Sequence, residues 1–195
     1  MTPPPTQTHP LTFDELCNLP DDGQRHELIA GVPHVSPVPN RAHQEVQRRL
    51  GRLLDRATRV EELGRIYFAP VDVRLSPHDI VQPDIRFIRW DRLASYQPGG
   101  VVEGAPDLVV EIVSPSSRLQ DDGPKKALYA RSGVREYWLV DPAAGGLRVF
   151  VQNERGDRFG ELAPEHGQLH STVLPIPTID IAALFAGIRQ CPPRE

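Results

Sequence analysis

The stretch Leu108-Val109-Val110-Glu111-Ile112-Val113 constrains this chain more than any other. A continuous aliphatic run broken by a single carboxylate is the pattern of a β-strand buried on both faces, which requires a sheet covered on both sides. Glu111 is then expensive. An unpaired charge in such a strand costs several kcal/mol even after relaxation. Three arrangements relieve that cost: a raised pKa, a salt bridge, or a bound cation. With 20 arginines in the chain, a plain Glu–Arg pair is one candidate for the second. Glu111 shares parity with Asp107, Val109 and Val113, so its partner is expected from a neighbouring strand on the same face.

The rest of the chain supplies such neighbours. Thr12-Phe13-Asp14-Glu15 fits a capping box opening a short helix through Leu16 and Leu19. Arg25–Ile29 and Val32–Ser36 flank Ala30-Gly31, a hairpin pattern. Asn40 is a candidate N-cap for a longer helix, in which Val46, Leu50, Leu53, Leu54 and Ala57 fall on one apolar face. Val71, Val73 and Leu75 alternate with polar residues, and Pro83–Ile88 is a second strand candidate. Pro124, placed at a first turn, predicts a helix that runs to about Gly133. Tyr137–Val140 and Leu147–Val151 read as further strands, and Ile181–Phe185 as a closing helix. The expected organisation is one mixed α/β domain over residues 11–189. Proline-rich residues 1–10 and 190–195 are expected to be a disordered leader and tail.

Composition narrows the function classes. The longest apolar stretches fall short of the roughly 18 residues a membrane helix needs. The N-terminal residues lack the apolar core of a secretory signal, and two distant cysteines make no disulfide framework. A soluble cytoplasmic protein is expected. The net charge of −4 argues against coating nucleic acid through bulk charge but leaves a local patch open. No phosphate-binding loop, dinucleotide fingerprint or nucleophile elbow is present. His166 and His170 have metal-like spacing, but Gly167 and strand-like surroundings spoil a helix there.

Asp84 is the natural companion of Glu111. Pro83 cannot donate a ladder hydrogen bond, so it marks a strand start, and Asp84 sits at that opening. Two carboxylates on adjacent strands can share a hard divalent cation, with water and a substrate phosphate completing its shell. The lysines add a third element. Only Lys125 and Lys126 stand against 20 arginines, side by side just after the Glu111 strand. A lysine is a compact ammonium on a flexible stem, which arginine does not replace. Helical spacing puts Lys125 and Tyr129 on one face and turns Lys126 about 100° away.

These residues carry a family resemblance. Asp84 in QPDI, Glu111 in VVEIVSPSS and the string DDGPKKALYARSGVREYWLVDP (Asp121 to Pro142) resemble the Uma-two (Uma2) family of the PD-(D/E)XK restriction-endonuclease-like superfamily. HELIAG (His26–Gly31) and PNRAHQEVQRRL (Pro39–Leu50) are similar in the same order, so the resemblance covers roughly residues 11–152. It implies a restriction-endonuclease-like core of one helix, three strands, a second helix and a further strand (αβββαβ). A mixed central sheet flanked by helices would carry it, with an N-terminal hairpin and C-terminal strands. It also implies Mg²⁺-dependent (or Mn²⁺-dependent) cleavage of DNA, with Asp84 and Glu111 as metal-binding carboxylates. Val113 stands where the superfamily pattern has lysine, and the resemblance makes Lys125, from the following helix, the substitute. Glu27 and His43 fall in family-like positions near the site. Glu27 is otherwise a surface residue of a half-exposed hairpin, and His43 a packing or capping histidine.

The leading expectation is thus a metal-dependent endonuclease acting on DNA, and a homodimer would be the economical way to cut two strands. The alternatives are a non-catalytic nucleic-acid or protein-binding module keeping the same fold, and a hydrolase of a smaller phosphate ester. Arg48, Arg52, Arg56 and Arg59 form a row opposite the leucines of the long helix. Such a row tracks phosphates or is simply the solvated face.

Overall fold

The structure is a computed structural model that describes residues 9–188 apart from 19, 21, 61, 96–100 and 176–177. Of the expected leader only His9 and Pro10 are described, and the expected tail lies outside the described residues.

Helix α1 (Phe13–Cys17) is capped as its sequence requires. The Thr12 hydroxyl accepts from the Glu15 N–H, while the Glu15 carboxylate accepts from the Thr12 N–H at 2.8 Å. Strands β1 (Arg25–Ile29) and β2 (Val32–Ser36) form the expected hairpin. Its two turn residues, Ala30 and Gly31, have φ of 52° and 73°. At Gly31 a Cβ would also lie 2.4 Å from Pro10, so both the conformation and the close approach call for glycine. Asn40 then accepts the His43 N–H at 2.9 Å and opens α2 (Arg41–Val60). Val46, Leu50, Leu54 and Ala57 of α2 are buried, the single face that the 3.6-residue period predicted.

After α2 the chain weaves between two sheets. The strands are β3 (Gly64–Phe68), β4 (Val73–Ser76), β5 (Asp79–Val81), β6 (Ile85–Arg89), β7 (Val102–Glu103) and β8 (Leu108–Ile112). There follow α3 (Arg118–Gln120), one turn of π-helix (Asp121–Lys125), α4 (Lys126–Arg131), β9 (Glu136–Asp141), β10 (Gly146–Gln152) and β11 (Phe159–Leu162). Short β12 (Gln168–Leu169) and β13 (Ile179–Asp180) pair with each other before α5 (Ile181–Phe185). The larger sheet has the order β11-β10-β9-β8-β6-β3, and the smaller β2-β1-β5-β4-β7. Both are mixed, with β8–β9 and β4–β7 parallel and the other pairs antiparallel.

One central sheet was expected, and two mixed sheets are present. Within the larger sheet the succession is still helix α2, strands β3, β6 and β8, helix α4, strand β9. The alternating segment around Val73 leaves that sheet and pairs with the hairpin side. The first strand of the larger sheet is instead Gly64–Phe68, whose mixed burial gave no clear period. Pro124 also differs from expectation. It lies inside an irregular helical stretch that begins at Arg118, not at its opening. Proline has no N–H to donate, and the widened π-turn around it accommodates that loss.

The larger sheet carries a core on each face. Leu108, Val110 and Ile112 of β8 pack toward α2, with Trp138 and Val140 of β9. Val109 and Val113 face the other way, toward Leu128 and Tyr129 of α4 and Val73 and Val81 of the smaller sheet. Every residue of β8 is buried, as its apolar run required.

Candidate active site

Glu111 lies on the face of β8 that looks toward α4 and the smaller sheet, close to the strand's C-terminal end. Strand β6 pairs antiparallel to β8 with Ile85 opposite Val110. Asp84, one residue before Ile85, is therefore delivered next to Glu111. Its placement is tightly determined. Asp84 Oδ2 accepts from His43 Nε2 at 3.0 Å and from the Ile112 N–H at 2.8 Å. Its carbonyl accepts from Gln47 Nε2 at 2.9 Å and from the Ala69 N–H at 3.2 Å.

The partner of Glu111 is not an arginine. Lys125 Nζ donates to Glu111 Oε1 at 3.2 Å and Tyr129 Oη to the same oxygen at 2.6 Å. Lys125 also lies 2.8 Å from Glu27 Oε2 and 3.6 Å from Asp121 Oδ1. It is buried to 5% exposure. The neighbouring lysine goes elsewhere: Lys126 pairs with Asp122 at 2.6 Å and lies over the Phe150 ring.

Glu27 corrects the view of the hairpin as half-exposed at that position. It is 2% exposed, because Leu28 of β1 pairs with Ile80 of β5 and carries the hairpin onto the smaller sheet. Its carboxylate accepts from the Ser36 hydroxyl at 2.8 Å and the Gln82 N–H at 2.7 Å, besides Lys125. His43 is buried as well. Thus Glu27, His43, Asp84, Glu111 and Lys125 meet in one place, although 98 residues separate the first from the last. Two further residues meet them: Asp121, 3% exposed, to which the sequence assigned no role, and Tyr129, fully buried, which helical spacing placed on the Lys125 face. Spacing held a signal for both, since Asp121, Lys125 and Tyr129 recur every four residues.

Charge explains how these groups share protons. Three carboxylates, Glu27, Glu111 and Asp121, face one ammonium, and Asp84 lies beside Glu111. Burial alone would raise the Glu27 pKa, but the Lys125 charge and the Gln82 N–H outweigh it and leave it below the ordinary value. Burial instead dominates at Glu111, and with Asp121, Asp84 and Glu27 nearby it pushes that carboxyl well above the usual range despite Lys125. Asp121 is raised for the same reason. Lys125 is desolvated too, yet Glu111, Glu27 and Asp121 raise it and keep it protonated. The site is short of positive charge.

These residues border a cleft of about 160 Å³. Its walls are the Ser36–His43 segment, the β8 end with Ser114 and Pro115, the turn at Ser117–Asp121, and Pro142-Ala143 after β9. Three side-chain atoms of cleft residues, His43 Nδ1, Gln82 Oε1 and Gln120 Nε2, are buried without a hydrogen-bond partner. Buried polar groups are rarely left unsatisfied, and these three belong to residues that border one cleft.

The donor chemistry suits a hard divalent cation. Asp84 and Glu111 each spend one oxygen on protein donors; among the described residues Asp84 Oδ1 and Glu111 Oε2 accept none. Among those residues, no group of three or more His, Cys, Asp or Glu forms a ready-made cation site. The fit is to an ion held by two carboxylates, as Mg²⁺ usually is.

The arginine row does not join this site. Arg48, Arg52 and Arg56 are exposed and none borders the cleft. Arg48 is chelated by Glu45, at 2.9 and 2.6 Å, and Arg59 pairs with Asp55. His166 and Gly167 both have positive φ in a turn rather than on a helix. No helix among the described residues is long and apolar enough to cross a membrane.

Comparison with known proteins agrees with this architecture. No curated protein matches the chain. Among solved structures, the crystal structure of a "putative nuclease belonging to DUF820" from Anabaena variabilis ATCC 29413 matches with a TM-score of 0.75 at 20% identity. The match covers 92% of this chain and 100% of that one, and at this identity it speaks for the fold. A family model, Uma2, described as "Putative restriction endonuclease", matches residues 12–182. The chain belongs to the Uma2 family.

Proposed function

We propose that this protein is a divalent-metal-dependent endonuclease that hydrolyses DNA phosphodiester bonds in the cleft between β8, β6 and the irregular helix. The observation that carries the reading is the convergence of Glu27, Glu111 and Asp121 on a single buried lysine, with Asp84 bordering the same cleft. The α2-β3-β6-β8-α4-β9 succession supports a restriction-endonuclease-like core.

In this reading Asp84 and Glu111 hold Mg²⁺ or Mn²⁺ through the oxygens that protein donors leave unused. When bound, the ion supplies a Lewis acid for a phosphoryl oxygen and lowers the pKa of a water. The chain does the rest. His43 and the Ile112 N–H fix the Asp84 carboxylate. Glu27 keeps Lys125 charged and oriented, and the ammonium faces the charge that develops on the pentacovalent phosphorus. Val113 occupies the place of the superfamily's usual lysine, and Lys125 reaches the same carboxylate from the helix side. Two copies of the chain, each cutting one strand, would account for double-strand cleavage.

A plasmid-cleavage assay with Mg²⁺ or Mn²⁺ tests this. Wild type should nick or linearise the plasmid, and Glu111→Ala and Lys125→Ala should each lose about 10²–10³-fold in rate, as loss of an electrostatic stabiliser does. Cleavage that survives Glu111→Ala would overturn the assignment. Val113, standing where the superfamily pattern has lysine, favours a second reading, a non-catalytic module on the same fold. DNA binding with no cleavage at any Mg²⁺ or Mn²⁺ concentration would select it.

A further inference from the structure

Tyr129 sits in the site without a part in the chemistry proposed above. Its hydroxyl lies 2.6 Å from Glu111 Oε1, the length of a strong hydrogen bond to a carboxylate. The ring is enclosed. It is fully buried and packs against Tyr137 with centroids 5.3 Å apart. Tyr137 in turn stacks on Phe150 and Phe159, each at 5.9 Å. Glutamate has three rotatable side-chain bonds, and an ammonium on a flexible stem is a poor guide to direction. A phenol on a wedged ring is a good one.

We infer that Tyr129 is a positioning residue: it holds Glu111 Oε1 in a fixed direction and so presents Oε2 to the cation in the cleft. The inference rests on the metal-dependent reading and goes beyond it, since it assigns the orientation of one ligand to one hydroxyl. Lys125 reaches the same oxygen at 3.2 Å and supplies charge, whereas Tyr129 supplies geometry. The second tyrosine of the stack provides an internal comparison. Tyr137 Oη donates to the Asp121 carbonyl at 3.0 Å and touches no carboxylate of the site.

The experiment removes one oxygen at a time from the full-length protein. Mn²⁺ affinity is measured by titration calorimetry for wild type, Tyr129→Phe and Tyr137→Phe, alongside the Mg²⁺ concentration giving half-maximal cleavage. Partners that orient a metal ligand typically contribute 10–100-fold in affinity or activity. Tyr129→Phe should therefore weaken Mn²⁺ by about 10–100-fold and raise the Mg²⁺ requirement in parallel, while remaining folded; Tyr137→Phe should leave Mn²⁺ affinity unchanged. Wild-type affinity in Tyr129→Phe overturns the inference. So does an equal loss in Tyr137→Phe, which would reduce the effect to aromatic packing, and so does an unfolded Tyr129→Phe, which would make the hydroxyl a folding contact. A wild-type protein that binds no Mn²⁺ overturns the metal-dependent reading itself and is recognised before any variant is made.

Discussion

Two glutamates on neighbouring parallel strands are buried to similar depth and stand in opposite situations. Glu136 on β9 is 0% exposed and Glu111 on β8 is 4% exposed. Glu136 lies opposite Leu108, and Glu111 opposite Leu139. At Glu136 the protein uses both oxygens: Oε1 accepts the Trp138 indole N–H at 2.6 Å, and Oε2 accepts the Thr172 N–H and hydroxyl at 2.6 and 2.7 Å. At Glu111 two donors crowd onto one oxygen, while burial and three nearby carboxylates push its pKa well up. Burial therefore does not distinguish an acid whose oxygens are both engaged from one that keeps an oxygen free of protein donors. What distinguishes them is acceptor capacity left over at a cleft.

The sharpest way to break this comparison is to remove each carboxylate in turn. Glu136→Ala leaves a fully buried indole N–H without an acceptor and opens a small cavity, and should cost about 2–4 kcal/mol in urea denaturation. Glu111→Gln relieves crowding among acids and should shift stability by less than about 1 kcal/mol while abolishing cleavage. Equal destabilisation by the two would erase the distinction. Lys125→Arg comes next in size. Nζ lies among three carboxylates at 2.8–3.6 Å, and a larger planar guanidinium in that space should cost about 1–3 kcal/mol and lower cleavage with it. A fully active, fully stable Lys125→Arg would show that the site needs charge alone. The smallest effect belongs to the exposed end of the scale. Arg52→Ala and Arg56→Ala should each move stability by no more than about 0.5 kcal/mol. If the row contacts phosphates, each should also reduce the salt dependence of DNA affinity by a slope of about 1; an unchanged slope identifies a solvated face.

How far the site could be read ahead of the structure depends on the range of each interaction. The α2 face, the Thr12 cap, the hairpin turn and the buried β8 strand are set by neighbours within a few residues, and periodicity or turn chemistry reveals them. The anomaly at Glu111 is local too, since a carboxylate among aliphatics is visible in any listing of the chain. Glu27 was obscure because its burial comes from the pairing of Leu28 with Ile80 and from a lysine 98 positions away. The destination of Val73 was obscure for a similar reason. An alternating strand is suited to any half-covered sheet, and only its pairing with β5 and β7 selects the smaller one.

Residue type and spacing were enough to establish that a costly carboxylate sits in a central strand, that an acid precedes a neighbouring strand, and that one of two lysines shares a helical face with a tyrosine. Those are consequences of backbone periodicity and of the cost of burying charge, and they hold whatever the strands pair with. Folding alone settled which oxygen of Glu111 is spent, which acids share the lysine, and that the hairpin borders the cleft. These outcomes turn on distances near 3 Å between segments far apart in the chain, where shifts of an ångström decide whether a charge is paired or left for a ligand.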